Sequence, residues 1–93
     1  MSFNFEWHEA KAQINLQKHG VSFDEAVSIF TDPFSITIVD SEHSMNEERY
    51  IDIGMSDKNQ LLVVVYTERN ENIRLINCRK ANSIERQCYE SNL

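Results

Sequence analysis

The order of apolar and polar residues predicts a short strand and then a helix at the start of the chain. Residues 3–7 alternate between apolar and polar side chains, as a half-buried strand does, and helical spacing replaces this alternation over residues 8–19. Ala10 and Ile14 fall on one face of that helix, whereas Asn15 belongs to a polar stripe on another. We therefore expect Ala10 and Ile14 to be buried and Asn15 to face solvent.

The strongest local signals mark the helix ends. Gly20 stands where a helix C-terminus favours a left-handed residue. Ser22 and Glu25 form an S-x-x-E capping box at the start of a second helix, which Asp32-Pro33 ends because proline disfavours helical geometry in the residue before it. This helix has a single apolar stripe, which consists of Phe23, Ala26, Val27 and Phe30. We predict that this stripe and Trp7 belong to the hydrophobic core.

Strand patterns dominate the rest of the chain. The continuous apolar run at residues 61–66 is typical of a central strand covered on both faces, and the short turns around it predict antiparallel neighbours. A last helix over 83–91 has Asn82 as its cap and Ile84 and Cys88 as its buried side. The predicted strands are residues 35–39, 49–55, 61–66 and 72–80.

These elements predict an α+β fold for one domain spanning residues 1–93. Its antiparallel sheet carries two N-terminal helices and one C-terminal helix, and packing all of them on one face is the economical arrangement. No apolar run approaches the length of a membrane span, and the first ten residues lack the basic and apolar parts of a secretory signal. A cytoplasmic protein without membrane contact is expected.

Charge is distributed unevenly along the chain. The net charge is −6, but residues 1–48 hold nine acids against two lysines, which gives −7, while residues 69–86 hold five bases against two acids, which gives +3. We therefore expect any anion-binding surface to be formed by residues from the last third of the chain. Two cysteines in a reducing compartment predict buried thiols, and Asp40, Glu42 and His43 are too few for a metal site. No metal or other cofactor is expected.

The chain resembles the BrnT ribonuclease toxins in an ordered series of motifs over roughly residues 3–90. This resemblance implies a RelE-like fold, metal-independent cleavage of RNA, and neutralisation by a BrnA-type antitoxin that itself binds operator DNA. A homodimer and a heterotetramer with the antitoxin both stay open. The motifs are Phe5-Glu6-Trp7, Lys11, Asn15, Lys18-His19-Gly20-Val21, Phe23, Glu25, Phe30-x-Asp32-Pro33, Glu47-Glu48-Arg49, Ile53-Gly54, Val63-Val64, Thr67-Glu68-Arg69, Ile73-Arg74, Arg79-x-Ala81, Glu85 and Tyr89.

RNA cleavage without a metal requires a base for the 2′-hydroxyl, a positive group for the phosphorane and a proton for the leaving 5′-oxygen. Arg79 is the first candidate for the positive group and Arg69 the second, because guanidinium stays ionised and binds two phosphate oxygens. His19 and Glu48 are the candidate bases, Glu48 only if it points toward Arg79 across the sheet. Further nucleic-acid contacts are predicted for Lys18, Arg49, Arg74 and Lys80.

Each candidate also has a purely structural interpretation. Arg79 could pair with Glu85, His19 could interact with the helix end beside Gly20, and Glu48 could take part in cross-strand ion pairs. Two other functions therefore stay open: a module that binds RNA or an antitoxin without turnover, and a structural or interaction domain. Growth arrest on expression, relieved by the adjacent reading frame, would distinguish the toxin from both.

Overall fold

The computed structural model describes residues 4–43 and 47–93. The elements follow the predicted order, but the second helix turns into a 3₁₀ turn, Ser28–Thr31, and the central strand continues three residues further than predicted. A second 3₁₀ turn spans Ser41–His43. The elements are β1 (Asn4–Glu6), α1 (Glu9–His19), α2 (Phe23–Val27), β2 (Ile36–Asp40), β3 (Arg49–Met55), β4 (Leu61–Arg69), β5 (Asn72–Lys80) and α3 (Ser83–Glu90).

The five strands form one sheet in the order β1-β5-β4-β3-β2. The pairs from β2 to β5 are antiparallel, as the short turns predict. β1 departs from the antiparallel pattern, because it pairs in parallel with β5 over Asn72, Ile73 and Arg74. Alternation within a strand does not specify the direction of its neighbour, so the sequence pattern of β1 carries no information on this point.

The sheet has a core on each face. On β4, Leu62, Val64 and Tyr66 pack with residues of α1 and α2, whereas Leu61 and Val63 pack with Tyr89 of α3. Because successive side chains of a strand point to opposite faces, α3 lies on the face opposite α1 and α2. The expectation of helices on one face is therefore wrong. The aromatic residues Trp7, Phe23 and Phe30 contribute to the first core, as predicted.

The predicted buried face of α1 is also wrong. Ile14 is 62% exposed and Ala10 is exposed, while Asn15 is only 6% exposed. The Asn15 amide nitrogen donates to the carbonyl oxygens of Val21 (3.1 Å) and Cys78 (2.9 Å) and to the Cys78 sulfur, and its oxygen accepts from the Cys78 N–H. β1 covers β5 only at 72–74, so Asn15 takes the place of a neighbouring strand at Cys78.

The buried side of α3 differs from the prediction as well. Ile84 is 70% exposed and Cys88 is exposed, so of the two cysteines only Cys78 is buried. Tyr89 is the buried residue of α3, and its hydroxyl donates to the Asp32 carboxylate at 2.6 Å. This hydrogen bond joins the last turn of α3 to the segment before β2.

The helix caps are largely as predicted. Gly20 ends α1 with φ 70°, and the Asn82 and Glu85 side chains form a complete capping box at α3. At α2, the Ser22 hydroxyl accepts from the Glu25 N–H, but the Glu25 carboxylate accepts from Ser56 Oγ (2.6 Å) and Gln60 Nε2 (2.8 Å). Glu25 therefore connects α2 to the turn between β3 and β4 and contributes to tertiary packing.

Asp52 is a buried carboxylate whose charge opposes folding. Burial raises its pKa, and the hydrogen bonds of Asp52 with the Thr37 side chain and with the Tyr66 hydroxyl, which donates at 2.9 Å, only partly offset this effect. Stability from a raised pKa is present below the unfolded value, about 4, and is lost as pH rises through the folded value.

We therefore expect Asp52→Asn to raise the free energy of unfolding at about pH 7 and to lose this advantage toward pH 4. Urea unfolding of wild type and Asp52→Asn at both pH values measures this change. The difference between the two proteins at each pH cancels the contribution of the other carboxylates. A variant that is less stable than wild type at neutral pH would contradict the prediction.

Within residues 4–43 and 47–93, no helix combines the length and the apolar character needed to cross a bilayer.

Candidate functional site

The register of the strands aligns charged residues in one row across the sheet. Asp40 lies opposite Arg49, Arg49 opposite Thr67, Thr67 opposite Arg74, and Arg74 opposite Glu6. Directly paired residues project from the same face of a sheet, so this row places two arginines and two carboxylates side by side.

Two further arginines project from the same face. Arg79 lies opposite Val63, which is four residues from Thr67 on β4, and Arg69 is two residues from Thr67, so the two-residue period places both with the row. We call this surface the arginine face and define it by Arg49, Arg69, Arg74 and Arg79. α3 covers one end of the same face, because Tyr89 packs with Ile53, Leu61 and Val63.

A depression of about 240 Å³ lies on the arginine face beside α3. It brings Arg49 and Arg79 together although they flank β4 on opposite sides and are offset by roughly 13 Å along it. The lining residues are Asp40, Arg49, Ile51, Val63, Val65, Asn77, Arg79 and Glu85. Two guanidinium groups above an apolar floor, with two carboxylates beside them, suit a phosphodiester next to a hydroxyl.

Arg79 is held in place by Glu85. Its Nη1 and Nη2 atoms donate to the two carboxylate oxygens at 2.8 and 2.6 Å, and Nη1 also donates to the carbonyl oxygen of Lys80. The Glu85 contact raises the pKa of Arg79, and Arg79 lowers the pKa of Glu85. Among the contacts of the described residues, these use three of the five guanidinium protons. The Nε–H and one Nη2 proton are left for a phosphate oxygen.

The other arginines of this face have different contacts. Arg69 uses its Nε and Nη2 atoms, the fork that binds phosphate side-on, for both oxygens of Glu47 at 2.9 and 2.7 Å. Arg74 donates from Nη1 to Glu6 at 2.7 Å, and hydrogen bonds from Asn72 and Arg74 lower the pKa of Glu6. Arg69 does not line the depression, so its geometry is the less suitable for phosphate.

Lys18 and His19 lie beside the arginine face at the end of α1. They line a second depression, of about 230 Å³, together with Ile76 and Asn77. Asn77 lines both depressions, so the two are adjacent. The pairing of β4 with β5 is irregular at this point, since Val65 and Tyr66 lie opposite Asn77 and Leu75.

Two predicted site residues point away from the arginine face. Glu48 accepts a hydrogen bond from the Tyr50 hydroxyl at 3.1 Å, and Tyr50 stacks on Tyr66 in the core under α1 and α2. The condition that Glu48 points toward Arg79 is therefore not met. Lys80 lies opposite Leu62, which belongs to the same core, so Lys80 also leaves the sheet on the α1–α2 side.

Three polar residues of the depression, Asp40, Asn77 and Glu85, were not among the sequence-predicted site residues. Asp40 lies one residue beyond the predicted strand 35–39, Asn77 has no distinguishing signal in the sequence, and the sequence indicates Glu85 only as a structural partner of Arg79. The alternation of Ile36 and Ile38 in β2, continued by two residues, would have placed Asp40 on their face. The contribution of Asn77 depends on the irregular β4–β5 register, which the sequence pattern does not reveal.

No group of three or more His, Cys, Asp or Glu residues with the spacing of a metal site occurs in the described part of the chain.

Comparison with known proteins identifies the family. The family model described as "Ribonuclease toxin, BrnT, of type II toxin-antitoxin system" matches residues 7–85, and all eight residues that line the depression fall in this range. The chain belongs to the BrnT family of ribonuclease toxins. The resemblance inferred from its motifs is thereby confirmed.

A solved structure supports the BrnT fold. The chain is similar to the crystal structure of the Brucella abortus ribonuclease toxin BrnT, with a TM-score of 0.67 and 19% sequence identity. The match covers 88% of this chain and 100% of the other. No curated protein matches the sequence. At this level of identity the likeness confirms the α+β fold, and the residue roles rest on the geometry of this BrnT-family chain.

Proposed function

We propose that this BrnT-family toxin is a metal-independent endoribonuclease that cleaves RNA through attack of a 2′-hydroxyl at the depression on the arginine face. The observation that carries the proposal is the presence of Arg49 and Arg79 in one depression, together with Asp40. An oriented pair of guanidinium groups supplies positive charge where the phosphorane develops it.

Arg79 has the central role in this proposal. The contact with Glu85 fixes its guanidinium, so the entropy of orienting this group is already lost before RNA binds. Its remaining Nε–H and Nη2 protons then stabilise the oxygens of the scissile phosphate. Arg49, on the other side of β4, binds a neighbouring phosphate, which fits its offset from Arg79 along the strand.

The base is assigned to Asp40 in preference to His19. Asp40 lines the same depression as both arginines, whereas His19 lines the adjacent one and Glu48 lies on the other face of the sheet. Asp40→Asn and His19→Asn variants separate the candidates, because cleavage should be nearly abolished when the base is replaced and largely kept when the other residue is replaced. Lys18 and Arg74 are assigned to phosphate attraction beside the site.

The proposed chemistry requires the 2′-hydroxyl. We expect the purified protein to leave an oligonucleotide with 2′-deoxyribose at the cleavage position intact and to cut the all-ribose version into products with 2′,3′-cyclic phosphate ends. Gel electrophoresis and mass spectrometry of the two reactions test this. Cleavage of the deoxy-substituted strand at the same position would refute 2′-hydroxyl attack.

The partner is proposed to be a BrnA-type antitoxin, with operator DNA reached only through it. The family supplies the expectation that an antitoxin exists, and the net charge of −6 favours a basic one. Expression of the chain alone is then expected to arrest growth in the cytoplasm, and co-expression of the antitoxin to restore it.

One observation favours a second function, a module that binds RNA or antitoxin without turnover. Carboxylates of the chain itself pair with arginines of this face and reduce their attraction for phosphate, as in Arg69–Glu47, Arg74–Glu6 and Arg79–Glu85. Bound but uncleaved all-ribose RNA would support this second function.

A further inference from the structure

A groove of about 400 Å³ lies outside the arginine face, between α1 and the start of α2. Its floor is apolar, with Trp7, Ala12, Leu16 and Phe23, and α1 and α2 pack on the sheet face opposite the arginines. The groove is therefore separate from the proposed RNA site. The remaining lining residues are Glu9, Gln13, Gln17, Ser22 and Asp24.

The walls of this groove are fixed before any ligand binds. Phe23 is only 2% exposed, and Trp7 meets it edge-on with ring centroids 5.7 Å apart. The Trp7 indole N–H also donates to Glu9 at 3.3 Å. Leu16, by contrast, is 49% exposed at the edge of this apolar floor. An aromatic slot with an exposed aliphatic edge is suited to apolar side chains that enter from outside.

The groove has the geometry of a helix-binding surface. The α1 residues that line it recur at i, i+3, i+4, i+7 and i+8, so they form one stripe along about two turns, roughly 12 Å of helix. α1 forms one wall along this stripe, and the first residues of α2, Phe23 and Asp24, contribute to the other. A helix laid along the stripe therefore matches the groove better than an extended peptide does. The stripe consists of Glu9, Ala12, Gln13, Leu16 and Gln17.

The charge of the groove indicates the charge of its ligand. Glu9 and Asp24 are the ionisable residues in its lining, and residues 1–48 as a whole carry nine acids against two lysines. A nucleic acid would be repelled here, whereas a helix with lysine or arginine beside its apolar side chains would be attracted.

We propose that the groove bounded by Trp7, Leu16 and Asp24 binds a basic amphipathic helix of the cognate antitoxin. The inference rests on the proposed function only in requiring that an antitoxin exists. The helix places aliphatic side chains against Leu16 and the Trp7–Phe23 pair, and its basic residues meet Glu9 and Asp24. Because the groove and the arginine face lie on opposite sides of the sheet, changes in the groove leave RNA cleavage by the free toxin intact.

The test compares the affinities of two variants for purified antitoxin, each with a substitution at an exposed residue of α1. Leu16→Arg introduces charge into the groove, while Ile14→Arg, the control, introduces it on the side that lines the depression of Lys18 and His19. We expect Leu16→Arg to weaken the affinity at least tenfold, about the effect of losing an interface anchor, and Ile14→Arg to change it less than about twofold. Calorimetry measures the affinity, and circular dichroism with thermal melting checks the fold of each variant. If Leu16→Arg unfolds, Leu16→Ala replaces it in the binding experiment.

Three outcomes would overturn the inference in distinguishable ways. Equal affinity of wild type and Leu16→Arg would refute the groove and leave the proposed function intact. No binding of wild type to the antitoxin would refute the partner and with it the groove. Tighter RNA binding by Leu16→Arg, with unchanged antitoxin affinity, would identify nucleic acid as the ligand.

Discussion

Replacement of Arg79 by alanine is expected to lower the rate constant for RNA cleavage by about 100-fold or more, the usual effect of removing a group that stabilises transition-state charge. The depression then keeps Arg49 but loses the guanidinium that Glu85 fixes. Lysine at position 79 should restore only part of the rate, because an ammonium group does not reproduce the planar fork.

Arg69→Ala is the matched control for this prediction. Arg69 lies on the same face and has an equally close carboxylate partner, Glu47, but it does not line the depression. Its loss should lower the rate less than about tenfold, since a neighbouring charge contributes mainly long-range attraction. Single-turnover kinetics on one RNA measure both variants. Equal losses would show that the depression has no special role.

The fold should tolerate these substitutions. The Arg79 side chain is 39% exposed, and exposed ion pairs contribute about 1 kcal/mol or less. Glu85 keeps its hydrogen bond with the Asn82 N–H in the Arg79 variants, so the start of α3 stays capped. A loss of cleavage can therefore be separated from a loss of structure by thermal melting.

Asn15→Ala is expected to have the largest effect on stability. The substitution removes the partner of the Cys78 N–H and carbonyl groups and of the Val21 carbonyl, all in a region from which water is excluded. Leaving buried polar groups unsatisfied costs about 1–3 kcal/mol each, and we expect a total loss of about 3 kcal/mol or more. Urea unfolding measures the change.

The control for Asn15→Ala is Gln13→Ala. Gln13 is exposed on the same helix, so the alanine substitution there should change the free energy of unfolding by less than about 0.5 kcal/mol. If both variants lose the same small amount, the four hydrogen bonds of Asn15 do not connect α1 to β5 in the way described.

Local sequence signals were sufficient for most of the elements. β3 and β5 have the predicted bounds of 49–55 and 72–80, and the Gly20 and Asn82 caps are formed, because alternation and capping depend on neighbours in the sequence. The family motifs also pointed to the arginines that the sheet places on one face.

The errors concern contacts between distant parts of the chain. Asn15 is buried because β1 stops short of Cys78 and leaves an edge of β5 to be paired, which no pattern within α1 reveals. Glu48 lies on the α1–α2 side of the sheet and Asp40 on the arginine face, because strand register decides which face each side chain takes. α3 uses Tyr89 to contact the second face of the sheet, and Ile84 and Cys88 stay outside.

The most direct test of the proposed active site is RNA cleavage in excess chelator by wild type and Arg79→Ala, purified identically. We expect wild type to cleave RNA without free metal. The variant should be almost inactive, while its melting temperature falls by no more than about 8 °C, the shift that a loss of about 1 kcal/mol produces in a domain of this size. Equal cleavage by both proteins, or cleavage by wild type that stops when chelator is added, would contradict it.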